Sequence, residues 1–416
     1  LNGLVPHFYE GELKGIVRIG GRTTTETTIQ RLADIVGSVF QDPRSQFFAT
    51  DVTSEIAFSC ENAGLPRNEI HRRVENASRK LGIESLLGRS IFALSGGEKQ
   101  AVAVASVYAF APSVIVMDEP SANLDPMATR KLREIIQALR TDGFTIVISE
   151  HRIHYLTDLV DRAIFIQKGK IVQAFSRDEF RNLSDEQRIR MGLRSLVHPV
   201  LALPHADPPG AQEGLSVENL SCAFDKQPVF SGLGFSAKRG EVLGIVGHNG
   251  AGKTTMTRCL CGLLKEVNGT VLLDGQPLKA KQRNKASFCV MQDVNHQLFS
   301  DSVWNECELA QPDCPPERIE EILRSFDLLD FKDRHPMALS GGKKQRLAGA
   351  TAILSGKDVL VFDEPTSELD YHRMLEVSNM IRKLNDENKV IIIVSHDFEF
   401  LGRTCDKIFD MEGCSK

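Results

Sequence analysis

The residues 247–255, Gly-His-Asn-Gly-Ala-Gly-Lys-Thr-Thr, combine glycines, a lysine and two hydroxyls at the spacing of a phosphate-binding loop. Gly247, Gly250 and Gly252 let the backbone curl so that several N–H groups point inward at phosphate oxygens. A helix starting at the lysine adds its partial positive charge. Lys253 reaches the outer phosphates, and Thr254 offers a hydroxyl to magnesium. Two carboxylates, Asp363 and Glu364, end a second apolar run, 359–362. One carboxylate in that place can hold magnesium; the other can orient and polarise an attacking water. His396 follows a third run, Val390–Val394. A lone histidine after a strand is more often structural than chemical.

These side chains need a scaffold. Glu241–Val246 reads as a short buried strand and 256–264 as the continuation of a helix, so the loop sits between strand and helix. Further strands are predicted at 287–291, 359–362 and Val390–Val394. Earlier in the chain, 35–40, 114–117, 145–148 and 163–166 read as core strands of a mostly parallel sheet, with helices at 69–81 and 127–139. Strands alternating with helices imply an α/β sheet flanked by helices.

The two halves repeat. Leu94-Ser95-Gly96-Gly97 returns as Leu339-Ser340-Gly341-Gly342, Asp118-Glu119-Pro120 as Asp363-Glu364-Pro365, Asp125 as Asp370, and Ser149-Glu150-His151 as Ser395-His396. The offsets 340 − 95, 363 − 118, 370 − 125 and 396 − 151 are all 245. One shared offset marks a duplicated domain rather than a short solenoid repeat. The first copy is incomplete: residues 1–4 match 260–263, just after the phosphate loop, so its own loop is expected upstream of Leu1 by truncation. The expected domains are 1–196, a proline-rich linker 197–213 with Pro199, Pro204, Pro208, Pro209 and Gly210, and 214–416.

The 416 residues suffice for two cored domains, and 42% apolar with 25% charged residues is ordinary for a soluble globular protein. A net charge of -5 argues against an extended nucleic-acid surface, so no nucleic-acid partner is expected. The nine cysteines lack zinc spacing and read as buried free thiols in a reducing compartment. Residues 101–117 are apolar but too short, contain Pro112 and run into Asp118, so they read as helix, turn and strand, not a membrane span.

Each half resembles the nucleotide-binding domain of ATP-binding cassette (ABC) proteins, over nearly the whole chain and on highly specific motifs. The resemblance implies two tandem α/β P-loop ABC ATPase domains, each a mostly parallel sheet flanked by helices with a helical signature subdomain, the first incomplete. It implies ATP and Mg2+ as cofactors. Asp363, with Thr254 and Gln292, would serve magnesium; Glu364 would be the general base, His396 the switch histidine, and Gln292 the Q-loop glutamine. Asn249 and Thr255 belong to the loop that holds the nucleotide, and Phe224 would stack on adenine. The Leu-Ser-Gly-Gly signature acts in trans in this family, so Ser95, Gly96, Gly97 and Asp125 would complete the Lys253 site. A second site would pair Ser340, Gly341 and Gly342 with Gln41, Asp118, Glu119 and His151, without a phosphate loop in this chain.

Residues 3–11, 39–43 with 46–48, 150–152, and 291–293 with 297–299 are similar to the fused double ATPase of energy-coupling factor (ECF) transporters. That implies an importer of a vitamin, related micronutrient or metal ion. Its partners would be a transmembrane coupling protein and a small membrane protein that captures substrate. Its place would be the cytoplasmic face of the cell membrane. Phe47, Phe48 and Phe299 would flank a groove for the coupling protein's helix. The alternatives are a soluble twin-cassette ATPase acting on ribosomes, a nucleotide-binding regulator, or another ABC transporter ATPase.

Overall fold

The computed structural model describes residues 1–225, 227–366, 369–385 and 388–412. The chain divides into two compact units, Leu1–Arg188 and Ile189–Lys416.

The second unit is built on a five-stranded, all-parallel sheet ordered Ser287–Val290, Val359–Asp363, Val390–Val394, Glu241–Val246, Lys407–Asp410. Val390–Val394 is buried at every residue, as an unbroken β-branched run in the middle of a covered sheet should be. Helices Gly341–Leu354 and Tyr371–Asn385 pack into one apolar cluster with this sheet, together with Val303–Ala310 and Pro316–Ser325 of the helical part. A second cluster joins the sheet to Lys253–Leu260 and to an antiparallel four-stranded sheet containing Leu215–Phe224 and Gln227–Ala237. The phosphate-binding stretch therefore leaves a central strand and enters a helix at Lys253, whose Cβ side is anchored by buried Met256, Cys259 and Leu260.

The first unit has a three-stranded parallel sheet, Val36–Val39, Val114–Asp118, Thr145–Ser149, in that order. Helices Val52–Asn62, Arg67–Leu81, Gly96–Phe110 and Pro126–Thr141 share its main apolar cluster. One expected strand is corrected. Residues 163–166 are not in the parallel sheet. They lie in Arg162–Gln167, which forms a separate antiparallel hairpin with Lys170–Ser176, mostly exposed. By the repeat (407 − 245 = 162) this strand corresponds to Lys407–Asp410. In the second unit that strand reaches the sheet only through Glu241–Val246. Residues 1–188 contain no strand in that intermediate place, so Thr145–Ser149 is an edge and alternates between exposed and half-buried.

Two smaller differences concern spacing. The glutamines and the acids that follow are offset by 292 − 41 and 306 − 55, both 251 rather than 245. The extra residues sit in the helical part: Val52–Asn62 and Arg67–Leu81 have 11 and 15 residues, against 8 and 10 in Val303–Ala310 and Pro316–Ser325. Against an expected first-domain end at 196 and a linker at 197–213, the second compact unit begins at Ile189. Ile408 N donates to Pro204 O (2.9 Å), Ala206 N to Ile408 O (2.7 Å), and Ser236 N to Asp207 O (2.8 Å).

Residues 101–117 form the end of a helix, a turn and the strand Val114–Asp118, and no described helix is long and apolar enough to cross a membrane. Every described cysteine is free, and six of them, including Cys259 and Cys261, are buried; Cys414 lies outside the described residues.

Candidate active site

In the second unit the loop after Glu241–Val246 turns on left-handed glycines, with φ +97° at Gly250 and +89° at Gly252. Gly252 also has no room for a side chain: a Cβ would lie 2.7 Å from Val229 Cγ1. Lys253 is buried, and its Nζ donates back to the carbonyls of Gly247 (2.9 Å) and His248 (3.0 Å), across the mouth of the loop. Thr254 stands at the first turn of Lys253–Leu260, and its hydroxyl donates to Asp363 Oδ2 at 3.3 Å. Thr255 is half-buried beside it. Asp363 ends a fully buried strand. Burial pushes its carboxyl above the usual range, opposed by the Thr254 hydroxyl and the nearby cations Lys253 and Arg258. A hydroxyl and a carboxylate oxygen beside an anion-holding loop are hard oxygen donors, the set that suits magnesium.

Glu364 follows in left-handed backbone, φ +48°, and its N–H donates to Val394 O (2.8 Å). Its Oε2 accepts from Ser395 Oγ (3.0 Å) and His396 N (3.3 Å). The His396 ring nitrogen Nε2 stands 3.6 Å from Glu364 Oε1 and 2.8 Å from Asn249 Oδ1 of the loop. Thr254 is thus bonded to Asp363, while Glu364, His396 and the loop asparagine Asn249 form a second linked group, and Lys253 closes the loop between them in sequence. Gln292 lies exposed in the turn after Ser287–Val290. That turn is shaped by Gln297, which accepts from Met291 N (3.1 Å) and donates to Cys289 O (2.8 Å). Phe224 ends its strand half-exposed.

The first unit repeats much of this. Glu119 has φ +41° and its N–H donates to Ser149 O (2.8 Å). Gln41 Nε2 donates to its Oε2 (3.2 Å), and His151 Nε2 stands 3.3 Å from its Oε1. Asp118 is exposed where Asp363 is buried. The signature serine Ser95 caps Gly96–Phe110 in a reciprocal box with Glu98, whereas Ser340 makes no side-chain cap on Gly341–Leu354, which carries Lys343 at that position. Gly97 lets the helix after Asp125 approach, since a Cβ would lie 2.7 Å from Ala128 Cβ. Asp125 itself is buried and caps that helix through Ala128 N (2.7 Å). Gly96, Gly341 and Gly342 occupy the first turns of the two signature helices.

Sequence reasoning missed two buried acids, Glu55 and Glu306. Each accepts two consecutive backbone N–H groups of the Q-loop turn: Phe48 and Ala49 for Glu55, Phe299 and Ser300 for Glu306, at 2.8–2.9 Å. Their shared offset with the glutamines is the signal that would have found them. Phe48 and Phe299 themselves are exposed, while Phe47 is packed against the core. Strand register places Ser149 opposite Asp118 and Val394 opposite Asp363, so Glu150 occupies the place of Ser395, as the shared offset of 245 implies.

A profile of the ABC transporter family matches residues 5–122 and 230–367. The chain belongs to the ABC transporter family. ABC ATPases bind ATP with Mg2+ and hydrolyse it. A Treponema denticola protein named as an ABC transporter ATP-binding protein is 45% identical over 99% of this chain and 86% of its own length. A Bacillus subtilis protein named for HMP/thiamine import ATP binding is 30% identical over 98% of this chain and 80% of its own. Among solved structures, the one titled RNase-L Inhibitor aligns at a TM-score of 0.59 and 23% identity over 90% of this chain and 71% of its own, a likeness of fold.

Proposed function

We propose that this chain powers an ECF-type importer of a vitamin, related micronutrient or metal ion, and that its hydrolytic centre is the Lys253 site. The observation that carries the site is that the loop lysine Lys253, the Thr254–Asp363 pair and the Glu364–His396–Asn249 group stand at the ends of adjacent strands around one phosphate-binding loop. Lys253 and the loop N–H groups hold the phosphates of ATP. Thr254 and Asp363, with Gln292, hold magnesium, which when bound neutralises charge on the outer phosphates. Glu364 orients and polarises the attacking water. His396 fixes Glu364 and contacts the terminal phosphate. Phe224 stacks on the base. Ser95, Gly96, Gly97 and Asp125 complete the site when the nucleotide is sandwiched, and this added contact favours the closed state. Ser340, Gly341 and Gly342 would pair with Gln41, Asp118, Glu119 and His151 at a second site whose phosphate loop is not among residues 1–416.

The importer reading is supported by the Bacillus subtilis relative named for HMP/thiamine import and by the Q-loop stretches around Phe48 and Phe299. The chain would then act peripherally on the cytoplasmic face of a membrane, through a transmembrane coupling protein and a small substrate-capture protein. The ribosomal alternative fits less well, because such twin cassettes carry a long charged insertion, and here residues 197–213 are short and proline-rich. The test is affinity purification of the natural protein from membranes, with Glu364→Gln holding the ATP-bound state. Recovery of a coupling protein with a small membrane protein is expected. Recovery of ribosomes, or of no membrane protein, would overturn the importer reading.

A further inference from the structure

Arg194 lies in the segment that enters the second unit and is only 4% exposed. Its guanidinium pairs with Asp397 through Nη2 and with Glu399 Oε2 through Nε (3.0 Å). Ser195 N donates to the same Glu399 oxygen (3.1 Å). Two residues earlier, Gly192 O accepts from Tyr371 N (3.1 Å), at the start of the helix after Asp370. Gly192 has φ +72°, and a Cβ there would lie 2.5 Å from the His372 ring, so the segment is fitted closely to this place.

Asp397 directly follows His396. Its Oδ1 accepts from Phe400 N (3.1 Å) and its Oδ2 from Thr366 Oγ1 (2.9 Å). Its N–H donates to Ser395 Oγ (3.1 Å), the hydroxyl that in turn donates to Glu364 (3.0 Å). Thr366 lies two residues after Glu364. One carboxylate therefore joins the two loops that carry Glu364 and His396, and Arg194 is its counter-ion.

We propose that Arg194 is a positioning residue for ATP hydrolysis: by clamping Asp397 and Glu399 it fixes the loop of Ser395 and His396 against Glu364. This rests on the reading of Glu364 and His396 given above. Stability alone is a poor reason to keep such a group, since apolar residues of similar volume often serve as well as a buried ion pair. A planar fork holding two carboxylates at fixed angles supplies orientation instead. The clamp is also specific to this unit. The position matching Asp397 in the first unit is 397 − 245 = 152, an arginine, whose N–H donates to Glu150.

The experiment measures steady-state ATP hydrolysis, equilibrium ATP–Mg2+ binding and unfolding temperature on the full chain for Arg194→Met, Arg194→Lys and Glu399→Gln. Misplacing a catalytic set by about 1 Å can cost about a hundredfold in rate, so Arg194→Met should lower kcat by roughly tenfold to a hundredfold. KM and the ATP Kd should stay near the wild-type values. Arg194→Lys should recover part of kcat, and Glu399→Gln, which leaves the Asp397 pair intact, should fall between them. If Arg194→Met does not fold, the other two variants carry the same ordering. Wild-type kcat per folded molecule in the variants, or equal losses in binding and turnover, would overturn the role of Arg194. Wild-type hydrolysis that is unchanged by Lys253→Ala would overturn the underlying site instead.

Discussion

Glu119 and Glu364 leave equivalent strands in the same left-handed backbone, φ +41° and +48°, and each faces a histidine, yet their surroundings differ. Around Glu364 the neighbouring strand Val390–Val394 is buried throughout, Asp363 is covered by the phosphate-loop helix, and Ser395, Asp397 and Arg194 brace the histidine. Around Glu119 the strand Thr145–Ser149 is an edge, Asp118 is exposed, and Glu150 and Arg152 stand where Ser395 and Asp397 stand. The posture of the carboxylate is thus a local product of the strand end and its hydrogen bond to the next strand. Burial and bracing come from the loop-bearing strand and from the segment that precedes it. The posture of the carboxylate and its environment are separable here, and among the described residues the second unit joins them.

That separation can be broken first through the sheets. Ile392→Ala removes a fully buried side chain from the middle of five strands and should cost about 2–5 kcal/mol. Val147→Ala, at the matching strand position (392 − 245 = 147) but 40% exposed, should cost under about 1 kcal/mol. Calorimetric unfolding measures both, and equal losses would contradict the difference in burial. A finer contrast lies in the signature turns. Gly97→Ala drives a Cβ to 2.7 Å from Ala128 Cβ and should cost about 1–3 kcal/mol. Gly342→Ala meets only the flexible Arg373 side chain at 3.5 Å and, gaining helix propensity, should stay within about 1 kcal/mol of wild type in urea titrations.

Much of the site was legible in the sequence because its chemistry is contiguous. The loop around Lys253, the carboxylate pair at a strand end and the histidine after the next strand are each short-range patterns, and the shared offset paired them. What escaped was non-local. Arg194 is a single arginine close to a proline-rich stretch, and nothing in its spacing announces two carboxylates some 200 residues later. Glu55 and Glu306 look like ordinary helix acids until their bonds to the Q-loop backbone are seen. The strand at 163–166 has the right residues for a core strand, but pairing depends on a neighbour that residues 1–188 do not supply.

The most direct measurement is calorimetric titration of the 416-residue chain with ATP–Mg2+, wild type against Lys253→Ala. A single site per chain that disappears in Lys253→Ala is expected, because the lysine and its loop occur only in the second unit. Binding that survives the substitution, or a second site of similar affinity, would contradict the claim that nucleotide chemistry in this chain resides at Lys253 and Glu364.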